Sequence, residues 1–117
     1  MSGDAPAILI LGQGSLATAQ RIRDQFPGAA IHGLAGRVEG ADRSFENFGD
    51  TLRDLYRADV PLVVLCAAGI VIRALSTLLA DKRAEPPVIA VAEDGSAVVP
   101  LLGGLRGANA LARRIAA

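Results

Sequence analysis

Residues 62–66 have the sequence Leu-Val-Val-Leu-Cys and pass directly into Ala67-Ala68-Gly69. The run is continuous and aliphatic and lies between Pro61 and Gly69, a pattern typical of a strand that is covered on both faces. A helical pattern of apolar residues follows the glycine. The stretch therefore predicts one strand–turn–helix unit of a parallel α/β sheet.

The same alternation of short apolar runs and amphipathic stretches extends outward in both directions. Four further strands are predicted at 7–11, 29–32, 88–91 and 97–99, and helices are predicted after 14, from about 44, after 69 and from about 105. Ser15 is expected to cap the first helix. Residues 33–43 are interpreted as a loop.

The polar turn Glu93-Asp94-Gly95-Ser96 predicts that the last strand pairs antiparallel with its neighbour as a hairpin. The expected fold is α/β and three-layered. Its sheet is mostly parallel, with about five strands and a carboxyl-side hairpin, and about four helices flank it. The last helix reaches Ala117 without a stop signal, so we expect residues 1–117 to be a single domain cut from a longer chain.

Composition excludes several classes of function. The chain has 117 residues, of which 51% are hydrophobic, enough for one core. Twelve basic and 12 acidic residues balance, and with three Phe, one Tyr and no Trp the chain offers little to a nucleic acid or an anionic membrane. One cysteine and one histidine exclude an internal disulfide and a zinc site. No transmembrane run or signal peptide is recognisable, so a cytoplasmic location is expected.

Three glycine-containing turns, 12–14, 67–69 and 103–107, each follow a strand and precede a helix. Such turns are expected to gather at the carboxyl edge of a parallel sheet, where glycine lets a ligand approach and helix N–H groups attract anions. The alternative is that the glycines only form tight turns. The residues predicted to bind a ligand are Ala68, Gly69, Arg73, Gly103, Gly104, Arg106, Gly107 and Asn109, with Gly12, Gly14 and Ser15 as weaker candidates.

Two arginines and an asparagine supply the polar groups of this predicted site. Arg73 lies one turn into the third helix and could reach back to a carboxylate, although it could equally lie on a solvated face. Arg106 opposes the dipole of the last helix, which favours an anion contact. Asn109 could hydrogen-bond a ligand or a nearby backbone group.

No catalytic residue is predicted. His32 is interpreted as a strand-end residue, Cys66 as a small core residue, and Glu93 and Asp94 as solvated turn residues. Residues 12–17 match the dinucleotide-binding pattern G-x-G-x-x-A. However, His32-Gly33 stands where the acidic residue of such a site is expected, so the match is weak.

The carboxyl half resembles the amino-terminal domain of cobalt-precorrin-5A hydrolases. The resemblance covers roughly residues 62–117 and rests on four stretches: AAGIVIRAL at 67–75 with LLADKR at 78–83, PVIAVAEDG at 87–95, VVPLL at 98–102, and GANALARRIA at 107–116. It implies a role in corrin ring (cobalamin) biosynthesis. Those hydrolases open a lactone on a cobalt-containing precorrin and release acetaldehyde. A domain of this kind also occurs fused to precorrin-3B C17-methyltransferase, which uses S-adenosylmethionine.

One departure from the family pattern bears on activity. The hydrolases usually show Ser-Gly-His-x-Gly-Gly-Ala-Asn where this chain has Gly103-Gly104-Leu105-Arg106-Gly107-Ala108-Asn109, so Leu105 takes the place of the histidine. The resemblance then implies a domain that binds a corrinoid intermediate or docks to a fused methyltransferase or another pathway enzyme, with no cofactor or metal of its own. Lactone hydrolysis and a purely non-catalytic docking module remain the alternatives.

Overall fold

A computed structural model describes residues 5–79 and 85–116, whose strands form one sheet between two layers of helices. The strands are β1 (Ala7–Ile10), β2 (Ala30–Leu34), β3 (Arg43–Phe45), β4 (Leu62–Leu65), β5 (Val88–Val91) and β6 (Val98–Leu102). The helices are α1 (Leu16–Arg23), α2 (Phe48–Arg57), α3 (Ala68–Leu75) and α4 (Ala108–Ala116), with short 3-10 turns at Gln13–Ser15, Ser76–Leu78 and Gly104–Arg106.

The strand order is β3-β2-β1-β4-β5-β6. The first five strands in this order are parallel, and β6 pairs antiparallel with β5. The predicted α/β fold with a carboxyl-side hairpin is therefore confirmed. Because the chain builds outward from β1 to β3 and then returns to place β4 on the other side of β1, the order switches between β1 and β4. In open α/β sheets such a switch point leaves a crevice at the carboxyl ends of the two strands.

The core lies on both faces of the sheet. In β1, Ile8 and Ile10 pack under α1 and α4, whereas Ala7 and Leu9 pack under α2 and α3. All residues of β1, β4 and β5 are buried, which explains why these strands are continuous apolar runs without polar alternation. Each fully buried large aliphatic side chain contributes about 1.5–3 kcal/mol to this packing.

The edge strand β3 is not among the predicted strands. Arg43 and Ser44 are exposed and only Phe45 is buried, so the sequence carries no strand pattern there. The strand forms because its backbone pairs with β2, Gly33 opposite Ser44. The second helix consequently begins at Phe48, not near 44, after the side chain of Asn47 accepts a hydrogen bond from Asp50 N at 2.9 Å.

The prediction that Ser15 caps α1 is wrong. Its side chain makes no capping hydrogen bond, and its φ of −90° and ψ of −7° are helical, whereas a cap residue is normally extended. The cause is the 3-10 turn Gln13–Ser15, closed by Ser15 N donating to Gly12 O at 3.2 Å, which runs directly into the helix.

Two expectations fall outside the residues that the structure describes. They are the continuation of α4 to Ala117 and the part of the resemblance at 80–83. Among the residues described, none of the helices combines the length and the apolar character needed to cross a membrane.

Candidate functional site

The three glycine turns do not share one edge of the sheet. The turns at 12–15 and 66–69 follow β1 and β4 and therefore flank the switch point at the carboxyl edge. The turn at 103–107 follows β6, whose last residue Leu102 lies opposite Val88 at the start of β5. The expectation that all three turns gather is thus wrong, because one reversed strand carries the last turn to the opposite (amino) edge.

At the carboxyl edge, α3 begins without a side-chain cap. The residue before it is Ala67, which has no side-chain oxygen, and its carbonyl accepts hydrogen bonds from Ile70 N at 3.1 Å and Val71 N at 3.4 Å. The amides of Ala68 and Gly69 belong to the first turn, which has no intrahelical acceptor for them. This helix end therefore presents two N–H groups and the positive end of the helix dipole.

The exposed side chain of Arg73 extends back toward this helix start. Its Nη1 lies 3.7 Å from the position that a Cβ on Gly69 would occupy. Among the described residues no carboxylate forms an ion pair with Arg73. A solvent-facing guanidinium beside two helix N–H groups is an arrangement that suits a carboxylate ligand.

The glycines at this edge are not required by the fold of the chain. A Cβ on Gly12 or Gly14 would meet no atom within 4 Å, and a Cβ on Gly69 would make only an ordinary contact with Arg73. None of the three has a positive φ. Since neither packing nor backbone conformation calls for glycine, their lack of a side chain leaves open backbone for an external group.

The first turn also carries a structural role that the sequence did not indicate. The Gln13 side chain donates from Nε2 to Glu39 O at 3.0 Å and accepts from Glu39 N at 2.7 Å. These two bonds hold the loop at 35–42 against the 12–15 turn. Nothing in the local pattern around Gln13 signals a partner 26 residues away.

Ser15 lies beneath the same turn and is fully buried. Its hydroxyl has no hydrogen-bond partner within the described part of the chain. Burying an unpaired hydroxyl costs about 1–3 kcal/mol. The side chain is therefore a polar group below the glycine turn, not the helix cap that its position in the sequence indicated.

At the amino edge, Gly103 is needed by the fold. Its φ is +80°, and a Cβ there would stand 2.5 Å from the carbonyl oxygen of Pro86. Gly103 N also donates to the buried carboxylate of Glu85 at 3.4 Å. Gly103 is thus a turn residue that lets the chain pass close to 85–87, which supports the tight-turn interpretation at this position.

Arg106 pairs with a carboxylate of the chain itself. Its two Nη atoms donate to Oδ1 and Oδ2 of Asp59, the second at 2.7 Å. Asp59 follows α2 and has the left-handed φ of +64°, so no sequence pattern links it to residue 106. The anion contact predicted for Arg106 exists within the protein.

The remaining residues of the amino-edge turn face solvent. Gly104, Leu105, Gly107 and Asn109 are exposed, and Leu105 keeps 66% of its surface accessible. Gly107 has a φ of +97° and is therefore also required by the backbone.

The surroundings of Cys66 and His32 shift the pKa values of both side chains. Burial, and then the charge of Glu93, raises the pKa of the Cys66 thiol to about 11, so it stays protonated at neutral pH. Burial and then Arg43 lower the pKa of His32, which lies inside β2. Among the described residues no three His, Cys, Asp or Glu side chains come together as metal ligands.

Comparison with known proteins identifies the family. The sequence profile of the family described as "Cobalamin synthesis G N-terminal" matches residues 50–117, more than half of the chain. The chain belongs to this family. The resemblance seen in the sequence is confirmed.

Two curated relatives are cobalt-precorrin-5A hydrolases. The chain is 33% identical over 111 residues to that of Salmonella typhimurium, covering 94% of this chain and 32% of the relative. It is 33% identical over 67 residues to that of Priestia megaterium, covering 56% of this chain and 18% of the relative. The chain therefore spans at most about a third of the length of these relatives.

A solved structure supports the fold of the Cobalamin synthesis G N-terminal domain. The crystal structure of a cobalamin biosynthesis protein G homolog from Sulfolobus solfataricus superposes with a TM-score of 0.68 at 17% identity. The match covers 97% of this chain and 33% of that chain. At this level of identity the likeness establishes the shared fold.

Proposed function

We propose that the chain acts in cobalamin synthesis by binding a corrinoid intermediate at the carboxyl edge, without hydrolysing it. Membership of the Cobalamin synthesis G N-terminal family supports the pathway. The observation that carries the binding proposal is Arg73, which folds over the uncapped start of α3 with no ion-pair partner among the described residues. Corrinoid precursors carry acetate and propionate groups at their rim, and such carboxylates fit this charge.

Few residues make the proposed contacts with the corrinoid. The amides of Ala68 and Gly69 and the Arg73 guanidinium hold one carboxylate of the ligand. Gly12 and Gly14, across the switch point, leave room for the rim of the macrocycle. Gly103 and Gly107, which the backbone requires, and Arg106, which pairs with Asp59, lie at the amino edge and take no part in this contact.

Binding is tested by calorimetry on the 117-residue chain with cobyrinic acid, whose rim carboxylates are free, and with cobinamide, in which they are amidated. We expect the acid to bind below millimolar and the amide at least tenfold more weakly. Arg73→Gln should weaken binding of the acid at least tenfold, since a charge-assisted pair contributes about 1.5–3 kcal/mol. Arg57→Gln, which alters an exposed arginine at the end of α2, is the control. No binding below millimolar would refute the proposal.

For the parent protein we propose a fusion with a precorrin-3B C17-methyltransferase, which would bring S-adenosylmethionine in its own domain. The support is the replacement at Leu105, where the hydrolase pattern has histidine. The coding frame after Ala117 tests this directly. A methyltransferase reading frame there would establish the parent, and a hydrolase carboxy-terminal domain would refute it.

Lactone hydrolysis is the second candidate, because both curated relatives bear the name of the hydrolase. Against it stand the exposed Leu105 and the protonated Cys66 thiol. The two candidates are separated by incubating the chain with cobalt-precorrin-5A and assaying acetaldehyde. Release above the background of a heat-denatured sample would favour hydrolysis.

A further inference from the structure

A groove of about 220 Å³ opens between α1, the β5–β6 hairpin and the end of α4, and we call it the hairpin groove. It is lined by Thr18, Arg21 and Ile22 of α1, Val91 and Val98 of the hairpin, and Ile115 of α4. It shares no residue with the switch-point site described above. Its volume lies below the range of drug-sized pockets, so it suits a small molecule or a single arm of a larger one.

The floor and the rim of the hairpin groove differ in character. Ile22, Val91 and Ile115 are almost completely buried beneath the groove, whose accessible surface is mainly polar. At the rim, Arg21 Nη2 donates to Thr18 Oγ1 at 3.3 Å. The Thr18 hydroxyl accepts this bond and so keeps its own proton available for an acceptor. Two donors at one end of a small, mainly polar groove match a small anion.

The charge of Arg21 is not neutralised by the described residues. Arg23, on the same helix, is bound by Asp42 at 2.9 Å, but no described carboxylate pairs with Arg21. The acidic residue at the hairpin tip, Asp94, instead accepts a hydrogen bond from Ser96 N at 2.9 Å. Its carboxylate is engaged in the turn, which leaves the guanidinium for another anion.

Gly95 brings the hairpin close to this guanidinium. Its φ is +81°, and a Cβ on it would lie 3.1 Å from Arg21 Nη2. A side chain at 95 would therefore crowd Arg21 at the rim. Glycine at 95 therefore leaves the guanidinium its space beside the hairpin.

We propose that the hairpin groove binds a small group that carries a carboxylate, with the carboxylate held by Arg21 and Thr18. The same chemistry is offered by a free short-chain acid and by a side arm of a carboxylated macrocycle. The proposal does not depend on the corrinoid site at Arg73, since the two sites share no residue.

The test is an NMR titration of the 117-residue chain with butyrate and, as a neutral counterpart, butyramide at constant ionic strength. We expect saturable shifts at Gly95 and at the Arg21 side chain with butyrate, and at least tenfold weaker binding of butyramide. Arg21→Gln should weaken butyrate at least tenfold. Arg37→Gln, which removes an exposed arginine from the loop at 35–42, should change it less than twofold.

Cobyrinic acid separates the two sources of the carboxylate. Displacement of butyrate by cobyrinic acid, kept in Arg73→Gln, supports a macrocycle arm; cobyrinic acid alone should then shift Gly95 in the unsubstituted chain but not in Arg21→Gln. Butyrate binding that cobyrinic acid leaves unchanged supports a free acid. Equal affinity for butyrate and butyramide, or no saturable response at Gly95 to butyrate or cobyrinic acid, overturns the proposal while leaving the Arg73 site to its own test.

Discussion

The guanidinium of Arg106 spans the carboxylate of Asp59 with two hydrogen bonds and so ties the turn before α4 to the residue that follows α2. Both side chains are more than a third exposed, at 37% and 52%, so solvent and salt screen the pair. We therefore expect the pair to contribute little to the free energy of unfolding. Its main effect is that Arg106 already has an anion partner in the chain.

The pair predicts a pH-dependent contribution to stability. The hydrogen bond from Arg106 lowers the pKa of Asp59 below its ordinary value of 3.8. Because the folded-state pKa is the lower one, the pair stabilises the fold above the unfolded-state pKa, and this contribution is lost as the pH falls through the folded-state pKa.

Asp59→Asn, which also tolerates the left-handed backbone, should lower the free energy of unfolding at pH 7. The difference from the unsubstituted chain should shrink as the pH falls below 3.8 and as the salt concentration rises. Urea unfolding at several pH values measures it. A difference that does not change with pH would show that the loss comes from the backbone or from packing.

Substitution by alanine should lower the stability strongly at Gly103 and hardly at all at Gly104. Gly103→Ala should destabilise the chain by about 2–4 kcal/mol, because it combines a left-handed backbone with a clash against the carbonyl of Pro86. Gly104→Ala should change stability by less than about 0.5 kcal/mol, since a Cβ there meets nothing within 4 Å. Urea unfolding of both variants decides it. Equal losses would contradict the close approach at Gly103.

Gln13 predicts a local effect on the loop at 35–42. Gln13→Ala removes both hydrogen bonds to the backbone of Glu39, so hydrogen exchange at the Glu39 amide should accelerate at least tenfold. The amide of Ile31, which donates to Asp42 Oδ2 at 2.8 Å, is the internal control and should keep its rate. Equal acceleration at both amides would mean that the whole fold is destabilised.

Gly14 predicts that binding and stability can be separated. Gly14→Ala should leave the free energy of unfolding unchanged or raise it by up to about 1 kcal/mol, because the chain makes no demand for glycine there. The same change should weaken cobyrinic acid at least tenfold if the ligand approaches this turn. Gly104→Ala, equally unhindered but at the amino edge, is the matched control for binding. Unaltered binding in Gly14→Ala would remove the 12–14 turn from the proposed site.

Cys66 predicts slow alkylation. With its pKa raised to about 11, the thiol at pH 8 should contain roughly a hundredfold less thiolate than a thiol of ordinary pKa 9.0. The rate of reaction with iodoacetamide should therefore rise with pH. The midpoint of this rise should lie at about pH 11 in the folded chain and at about pH 9 in the urea-unfolded chain. Glu93→Gln should lower the folded value, since the Glu93 charge contributes to it. A folded-state midpoint near 9 would show that the half-buried position of Cys66 does not raise its pKa.

The candidate site was only partly predictable. Arg73, Gly69, Gly12 and Gly14 could be selected from glycine turns that follow strands, because such turns lie at one edge whenever the strands are parallel. Gly103, Arg106 and Asn109 satisfied the same local rule, but their strand runs the other way. A local pattern reports that a turn follows a strand, whereas the edge on which the turn lies depends on the direction of that strand in the sheet.

Local sequence by itself determined the aliphatic runs of β1, β4 and β5, the four helices and the hairpin turn, because burial and turn chemistry act over a few residues. Only the tertiary structure decided the rest. The strand β3 forms because its backbone pairs with β2. Arg106 pairs with Asp59, which lies 47 positions away in the chain. The stretch 62–69 forms one side of the switch point only because β4 pairs with β1. These features depend on backbone pairing and charge contacts between distant segments, which leave no periodic signal in either segment.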